Sequence, residues 1–319
     1  MKIAAPHIAN LFDYASYQGI DEAVLRPLLV DQDLDVCSVE NSVKDTELLS
    51  VIQVLSDKVN TPYFGLYYGC YLNLKALGLI ADISLNAASI EQAVLLLQAY
   101  LEATFPIVTI STKKDGANYT LNLDCSVDNS ELRKHLLDTT ICFMYRELKL
   151  MLTDEFIPAL RLPYNDREAY NTLLNASIET GPGHQIVLDI SVLKTELNKK
   201  KVKEIEHLLP QFMLMLNTED IGYSTFSLQV KNMILNMCSP EVPTFEQVSK
   251  QFPLSDRSIQ RKLTGEGQSF RKIADDIKRE LSGYLAKGKL IKTQDIAYIL
   301  GYSDPSAYLH AVKRWEMNV

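Results

Sequence analysis

The sequence predicts an α+β N-terminal domain, followed by an all-α C-terminal domain with two helix-turn-helix units joined by a long helix. In the first two thirds of the chain the hydrophobic period changes between helical and strand spacing, and after that it stays helical. One helical pattern also occurs twice near the C-terminus, 48 to 49 residues apart. The polar stretch around Gly222 predicts a linker at 218–224, between domains at 1–217 and 225–319.

The N-terminal domain begins with helices and then gains strands. Apolar residues at helical spacing predict four helices, namely one near the N-terminus with Ile8, Leu11, Phe12 and Ala15 on one face, and others over Thr46–Val59, Ser89–Phe105 and Ser130–Leu152. Between the last two, IVTIST and YTLNLD alternate around an Asp-Gly turn, which predicts a β-hairpin over Ile107–Asp124. ALRLPY and QIVLDI predict two further short strands.

The C-terminal domain is predicted to be helical throughout. Six helices are predicted, namely FSLQVKNMILNMC, TFEQVSKQF, LSDRSIQRKL, SFRKIADDIKRELSGYLA, TQDIAYIL and a last helix that begins at Pro305. Thr244 caps the second of these helices, Ser255 is the N-cap of the third, and Asp304 directly precedes the last. Gly301 is the expected tight turn between the last two. In the fourth helix, apolar residues recur every four positions from Ile273 to Leu285, so this helix can connect its neighbours rigidly.

The repeated pattern is a short helix, a turn and a second helix. When EQVSKQFPLSDRSIQRKL is aligned with QDIAYILGYSDPSAYLHAV, apolar positions coincide, namely Val248 with Ile296, Phe252 with Leu300, Ile259 with Tyr308 and Leu263 with Val312. Helix-turn-helix units place their second helix in the DNA major groove. Two such units at a fixed distance could enter successive major grooves about 34 Å apart.

The charge of the chain is distributed unevenly between the predicted domains. Residues 225–319 contain 14 Lys and Arg against 10 Asp and Glu, a net charge of +4, while the other residues carry 18 against 30, a net charge of −12. A positive segment attached to an acidic body indicates a polyanion as the partner of that segment. Together with the repeat, this asymmetry favours double-stranded DNA.

Several of these segments resemble a known family. LSDRSIQRKL, the connecting helix and IAYILGYSDPSAYLHAVKRW are similar to the double helix-turn-helix domain of the arabinose-regulator (AraC) family of bacterial transcription factors. LFDYASYQGID, YFGLYYG, ALGLIADISLNAASIEQAVLLLQAYL, the hairpin and HQIVLDISVL resemble the arabinose-binding-type effector domain of one branch of that family. The resemblance implies a cytoplasmic regulator whose promoter binding is controlled by a small-molecule effector of unknown identity, and it adds RNA polymerase as a further partner.

The resemblance also assigns DNA-contacting residues. These are Ser255, Arg257, Gln260 and Arg261 in the first unit, and Ser306, His310, Lys313 and Arg314 in the second, with Lys313 and Arg314 expected at phosphates. Arg can bind guanine through two hydrogen bonds, and Gln can pair with adenine. The second unit departs from the family at Leu309, His310 and Val312, so we expect its helix to contribute less to sequence preference. A solvated surface is the alternative role for these side chains.

Effector binding and dimerisation are predicted for the N-terminal domain. Tyr63, Tyr67 and Tyr71 recur at helical spacing and can offer both apolar area and hydroxyl groups to a ligand, although such a stripe is also typical of a core. A helix over Ser191–Leu216 has an apolar stripe that suits the core or the partner helix of a homodimer. A regulator without effector control, whose N-terminal domain only dimerises, is the alternative.

Other classes of protein find little support in the sequence. There is no Gly-rich phosphate loop and no H-E-x-x-H or G-x-S-x-G sequence, so an enzyme is not expected, although a site assembled in space would escape this test. The five cysteines lack metal-ligand spacing and are expected to be reduced core thiols, and neither a metal nor a cofactor is predicted. No apolar run approaches the roughly 18 residues of a membrane span.

Overall fold

The computed structural model describes residues 1–72, 83, 87–153, 155–165, 167–176, 178–217, 225–238, 241–287 and 292–316. These residues fall into two compact units, one formed by the described residues up to 199 and the other by those from 200 onward. The first unit contains sheets and helices and the described part of the second is helical. The predicted linker, 218–224, lies outside the described residues.

Five of the described strands form one sheet in the first unit. Its order is β3 (Val108–Asp115), β4 (Asn118–Cys125), β7 (His184–Asp189), β5 (Ala159–Leu162) and β6 (Ile178–Thr180). Paired neighbours are antiparallel except β5 and β6, which run parallel. The β3–β4 hairpin is confirmed, and Gly116 in its turn has φ +58°, a left-handed conformation that favours glycine. β1 (Lys2–Ala4) and β2 (Ser42–Lys44) pair separately.

The helices of the first unit follow the predicted order. They are α1 (Pro6–Tyr17), α2 (Asp45–Val59), α3 (Phe64–Tyr71), α4 (Ile90–Thr104), α5 (Ser130–Met151) and α6 (Glu168–Leu174). The four predicted helices are confirmed to within two residues at either end. Asn129 begins α5 because its side chain accepts hydrogen bonds from the Glu131 and Leu132 N–H groups at 3.0 Å. α5 packs against β4 and β7 and carries Arg133, Lys134 and Asp138.

The sequence did not predict α6, β1, β2 and β6 as elements, and it indicated α3 only through tyrosines at helical spacing. β1, β2 and β6 have three residues each, too few to show an alternation, and α6 spans only two turns. α3 is held close to α5 by its glycines. A Cβ on Gly65 would overlap the backbone of His135, and one on Gly69 would lie 2.8 Å from the Cys142 Cβ. This approach places the Cys70 and Cys142 sulfurs 3.6 Å apart.

The cysteines are all free thiols, and four of the five are buried. The expectation of core thiols is therefore confirmed for Cys70, Cys125, Cys142 and Cys238. It is wrong for Cys37, which is exposed in the stretch between the 3₁₀ turns after α1 and strand β2. That stretch is rich in Asp and supplies little apolar area to cover a thiol.

The second unit consists of helices in its described part. They are α7 (Lys199–Asn217), α8 (Thr225–Met237), α9 (Phe245–Ser249), α10 (Asp256–Gly265), α11 (Phe270–Lys287), α12 (Thr293–Ile299) and α13 (Pro305–Glu316). α7 begins later than the predicted Ser191, because Asp189 caps a 3₁₀ turn over Ile190–Lys194 by accepting from the Ser191 N–H at 2.8 Å. α7 groups with the second unit, where the Gln211 amide donates to Glu280 at 3.2 Å, whereas the sequence placed it in the first domain.

The predicted helix starts in the second unit are confirmed. Thr244 and Gln247 form a capping box at α9, and the Ser255 hydroxyl accepts from the Ser258 N–H at 3.3 Å at α10. Asp304 accepts from the Ala307 N–H at 2.9 Å just before Pro305 begins α13. Gly301 has φ +75°, which supplies the turn between α12 and α13.

The two repeats bury matching positions. The aligned residues Val248 and Ile296, Ser249 and Ala297, Phe252 and Leu300, and Ile259 and Tyr308 are all buried. In the connecting helix α11, the residues at four-position spacing from Ile273 to Leu285 are buried as well. The fifth aligned pair differs, because Leu263 is buried and Val312 is only partly buried. Apart from that pair, the alignment made from the sequence matches the burial of the two helix pairs, α9–α10 and α12–α13.

Candidate functional site

The first unit contains a cavity of about 520 Å³ where α5 begins beside strands β4 and β7. Its polar lining includes Asn122, Asp124, Arg133, Lys134, Tyr164 and His184. The strands bring Asn122, Asp124 and His184 to this place, and the first turns of α5 bring Arg133 and Lys134. Tyr164 comes from the loop after β5. The cavity therefore joins residues far apart in the sequence.

A buried carboxylate, Asp138 on α5, lies directly behind this lining and is not exposed at all. Its Oδ2 accepts from the Tyr170 hydroxyl at 2.6 Å and from the Lys134 ammonium at 2.7 Å. Its Oδ1 accepts from His184 Nε2 at 3.0 Å and from the Tyr164 hydroxyl at 3.1 Å. Asp138 thus ties α5 to strand β7, to helix α6 and to the loop after β5.

The charge state of Asp138 follows from these four donors. Burial alone would raise its pKa, but the hydrogen bond from His184 and the charge of Lys134 outweigh burial and lower it. Asp138 is therefore a carboxylate that can only accept hydrogen bonds. His184 Nε2 lies 3.0 Å from the Asp138 Oδ1 and 2.8 Å from the Tyr164 hydroxyl, so these three groups form one hydrogen-bonded cluster behind the cavity lining.

The two cations at the cavity, Lys134 and Arg133, differ in the number of hydrogen-bond donors that remain for a ligand. The Lys134 ammonium has three N–H donors and three partners, namely Asp138, the Pro62 carbonyl at 2.7 Å and the Tyr170 hydroxyl at 3.0 Å. Arg133 donates to the Cys125 carbonyl and to the Asp124 carboxylate, which uses two of its five donor hydrogens. Lys134 is therefore saturated, whereas Arg133 keeps capacity for a ligand.

The tyrosines predicted for effector binding lie outside the cavity lining. Tyr71 is 1% exposed, with the rings of Tyr14 and Tyr17 at 5.2 and 5.5 Å. Tyr67 is also buried. Tyr63 is the nearest to the cavity, since the Lys134 ammonium lies 5.7 Å from its ring centre. A ligand role for these three residues stays a prediction.

The sequence did not predict the residues that line the cavity. Lys134 and Asp138 are visible as an i, i+4 pair on α5, a spacing that brings their side chains together. Nothing in the sequence shows that His184 and Tyr164, 46 and 26 residues away from Asp138, lie beside this pair.

In the second unit, helix α10 presents the predicted polar face. Arg257, Gln260 and Arg261 are exposed, and Ile259 and Leu263 on the opposite side are buried. Neither arginine has an ion-pair partner among the described side chains. Ser255 caps the helix and is exposed. The structure therefore brings these four residues together on one accessible surface.

Helix α13 presents a different set of side chains. Ser306, His310 and Lys313 are exposed, and Leu309 between them is 47% exposed. Arg314 is committed elsewhere, because it donates to the Asp275 carboxylate of α11 at 2.9 Å. A second link joins the same helices, with the Ser282 and Tyr308 hydroxyls 2.7 Å apart in the core.

The described residues contain no group of three or more His, Cys, Asp or Glu side chains that could hold a metal ion. None of the described helices combines the length and apolar content needed to cross a membrane.

One family model matches the chain, over residues 22–197. It describes the N-terminal arabinose-binding domain of the AraC transcription regulator. The match covers more than half of the chain and includes every residue of the cavity lining.

Curated relatives and a solved structure resemble most of the chain. The HTH-type transcriptional regulator VqsM of Pseudomonas aeruginosa is 22% identical, over 79% of this chain and 80% of the relative. The ornithine utilization regulator of the same organism is 21% identical, over 80% and 76%. The crystal structure of the transcriptional regulator CdpR from Pseudomonas aeruginosa is 18% identical and covers 97% of this chain and 95% of that one, with a TM-score of 0.44.

Proposed function

The chain belongs to the AraC family of transcription regulators with an arabinose-binding N-terminal domain, and on that premise we propose that it binds promoter DNA under the control of a small effector. DNA is bound by residues 225–319, and the effector by the domain within residues 1–217. RNA polymerase and a second copy of the chain are further proposed partners. Leu208 and Phe212 of the α7 stripe are buried within the chain, so this stripe belongs to the core and the dimer contact must lie elsewhere.

One observation carries the DNA-binding proposal. Apart from Leu263 and Val312, the two helix pairs bury the same aligned positions, and both expose the outer faces of their second helices. This arrangement is what a helix-turn-helix unit needs, namely a firm apolar inner face and an accessible polar outer face. The net charge of +4 on this segment supplies the attraction to phosphate.

The proposal assigns different tasks to the two second helices. On α10, Arg257, Gln260 and Arg261 contact base edges, and Ser255 lies at the helix start near the phosphates. On α13, Ser306 and His310 contact bases and Lys313 a phosphate. Leu309 offers only apolar contact there, which suits the methyl group of thymine. α10 is therefore the principal source of sequence preference.

Effector control is proposed because the cavity lies within the domain that the family model describes. A cavity of about 520 Å³ is within the range of small-molecule sites. The ligand changes DNA binding only if it binds two arrangements of the protein with different affinity. The name of one relative refers to ornithine utilization, which is consistent with a small metabolite as effector.

Selection of binding sites from a randomised DNA library tests the DNA-binding proposal on the full chain. We expect one enriched motif whose affinity falls steeply as salt rises, because bound cationic side chains release counterions from DNA. Lack of both enrichment and binding at low salt would contradict the proposal. The control is the variant with Arg257, Gln260 and Arg261 all changed to Ala, which should lose the enriched motif.

A further inference from the structure

The cavity of the first unit has a lining that selects for a chemical class of ligand. Resting on the proposed effector control, we propose that the effector is a small carboxylate whose carboxyl group is held by Arg133. The lining groups differ in how much hydrogen-bonding capacity their contacts within the protein leave for a ligand.

Lys134 is excluded as the group that binds the carboxylate. Its three donors are all used, and its charge is opposed by the fully buried Asp138 at 2.7 Å. A ligand that took Lys134 away from Asp138 would leave a buried carboxylate without its cation, and such a loss is costly. Lys134 is therefore a positioning residue that holds Asp138, and through it Tyr170.

Arg133 has the opposite properties. Its side chain is 41% exposed, and its counter-ion Asp124 is 70% exposed, so a ligand can displace that carboxylate into water at small cost. Arg133 also keeps three of its five donor hydrogens, counting its contacts with described residues. A guanidinium with spare donors matches the geometry of a carboxylate, which it can bind through two parallel hydrogen bonds.

The rest of the lining suits polar groups on the same ligand. The Gln185 amide donates to the Asn122 carbonyl oxygen at 2.6 Å, which leaves one donor group on Asn122 and one acceptor on Gln185. The inferred effector is thus a carboxylate with at least one hydroxyl or amino group, as in hydroxy acids and amino acids.

The position of the cavity links occupancy to the fold. Tyr164 and His184 line the cavity and also donate to Asp138, which joins α5 to strand β7 and to helix α6. A ligand that contacts Tyr164 and His184 therefore affects the hydrogen bonds of Asp138, which join α5, β7 and α6. Binding should accordingly stabilise the first unit against unfolding.

The test is a thermal-unfolding screen of the full chain with matched pairs of compounds. A library of hydroxy acids and amino acids is compared with the corresponding amides, such as L-lactate with L-lactamide and L-alanine with L-alaninamide. At a hundredfold excess over Kd we expect a carboxylate to raise Tm by about 5–10 °C and its amide to have no effect. Arg133→Gln should weaken binding of that carboxylate about 10- to 150-fold.

Two further variants separate the outcomes. Arg133→Lys keeps the charge without the planar fork and should weaken binding less than Arg133→Gln. Lys114→Gln, which removes an exposed cation paired with Glu91, should leave binding unchanged.

The proposal is overturned if Arg133→Gln binds the carboxylate normally, or if no carboxylate in the library raises Tm. Stabilisation by the neutral compounds alone would refute the carboxylate class and preserve effector control. If no compound of either kind stabilises the chain, effector control fails too, while site selection still measures DNA binding separately.

Discussion

The two units of the molecule place their charged side chains in opposite ways. At the cavity of the first unit, Asp138 is fully buried and its cation Lys134 is 26% exposed. On α10 of the second unit, Arg257 and Arg261 are exposed and have no ion-pair partner among the described side chains. A buried charge must be paired within the protein, whereas an exposed one is available to an external partner. The first arrangement stabilises a fold, and the second suits a polyanion.

This difference predicts that substitutions in the two units will have different effects. Removing a buried charge should change the free energy of unfolding first. Removing an exposed charge on α10 should change DNA binding and leave the free energy of unfolding nearly unaltered, since surface substitutions usually stay within about 0.5 kcal/mol.

Asp138→Ala should have the largest effect. It leaves the Lys134 ammonium, the His184 N–H and two tyrosine hydroxyls without their acceptor. Breaking a buried pair in this way costs about 3–5 kcal/mol. For a unit of this size that corresponds to a fall in Tm of roughly 6–20 °C, measured by calorimetry on the full chain.

The matched control for Asp138→Ala is Asp124→Ala. Asp124 pairs with Arg133 at the same cavity but is 70% exposed, and surface ion pairs contribute about 0–1 kcal/mol. A similar fall in Tm for both variants would mean that burial does not set the value of these contacts. The contrast between the two units would then lose its basis.

The same contrast explains what the sequence could predict. The helix α10 and its polar face follow from local signals, namely the cap at Ser255, the helical period and the spacing of Arg257 and Arg261, whereas the resemblance to the family assigned DNA contacts to that face. The Asp138 contacts escaped because they join α5 to residues 26 to 46 positions away, and only the fold brings them together. Strands β1, β2 and β6 escaped because three residues are too few to show a period.

Arg261→Ala should have the next largest effect, and on DNA binding. Loss of one bidentate base contact costs about 1–3 kcal/mol, so specific binding should weaken roughly 5- to 150-fold with relaxed preference at one position. His310→Ala should cost clearly less, because an imidazole cannot form the fork that Arg offers. Binding at fixed salt and site selection with each variant compare the two helices.

The outcome that would reverse this assignment is a larger loss for His310→Ala than for Arg261→Ala. The helix α13 would then be the principal source of sequence preference, through His310 and its neighbour Leu309. Unfolding curves of both variants serve as the control, because both side chains are exposed and neither change should lower Tm appreciably.

Two histidines of the first unit, the half-buried His7 and the buried His135, predict an acid sensitivity of intermediate size. Burial lowers the pKa of His7 to about 4, and burial together with the Lys134 charge lowers the pKa of His135. An unfolded histidine has a pKa near 6.5. Between pH 6.5 and about pH 4 the unfolded chain binds more protons at these histidines than the folded chain does, so the free energy of unfolding falls as pH falls.

His7→Phe should remove part of this sensitivity. For His7 alone the loss between pH 7 and 5.5 is about 1 kcal/mol. A phenyl ring can replace the imidazole beside Phe105, whose centre lies 4.7 Å from the His7 ring. Tm measured from pH 7.5 to 5 should fall less steeply in this variant than in the unaltered chain. A Tm that rises on acidification would contradict the sign of the prediction.

The smallest expected effect concerns two neighbouring cations of α13 that the sequence assigned alike to phosphate. Arg314 donates to Asp275 at 2.9 Å, whereas Lys313 has no ion-pair partner among the described side chains. Arg314→Ala should lower the free energy of unfolding by less than about 1 kcal/mol, as for other surface pairs.

In DNA binding, Lys313→Ala should reduce the slope of log K against log salt by about 1. Arg314→Ala should reduce it less, because its charge is already neutralised by Asp275. Equal reductions in the two variants would mean that Arg314 leaves Asp275 for phosphate in the complex, so that an exposed ion pair within the protein does not prevent a contact with DNA.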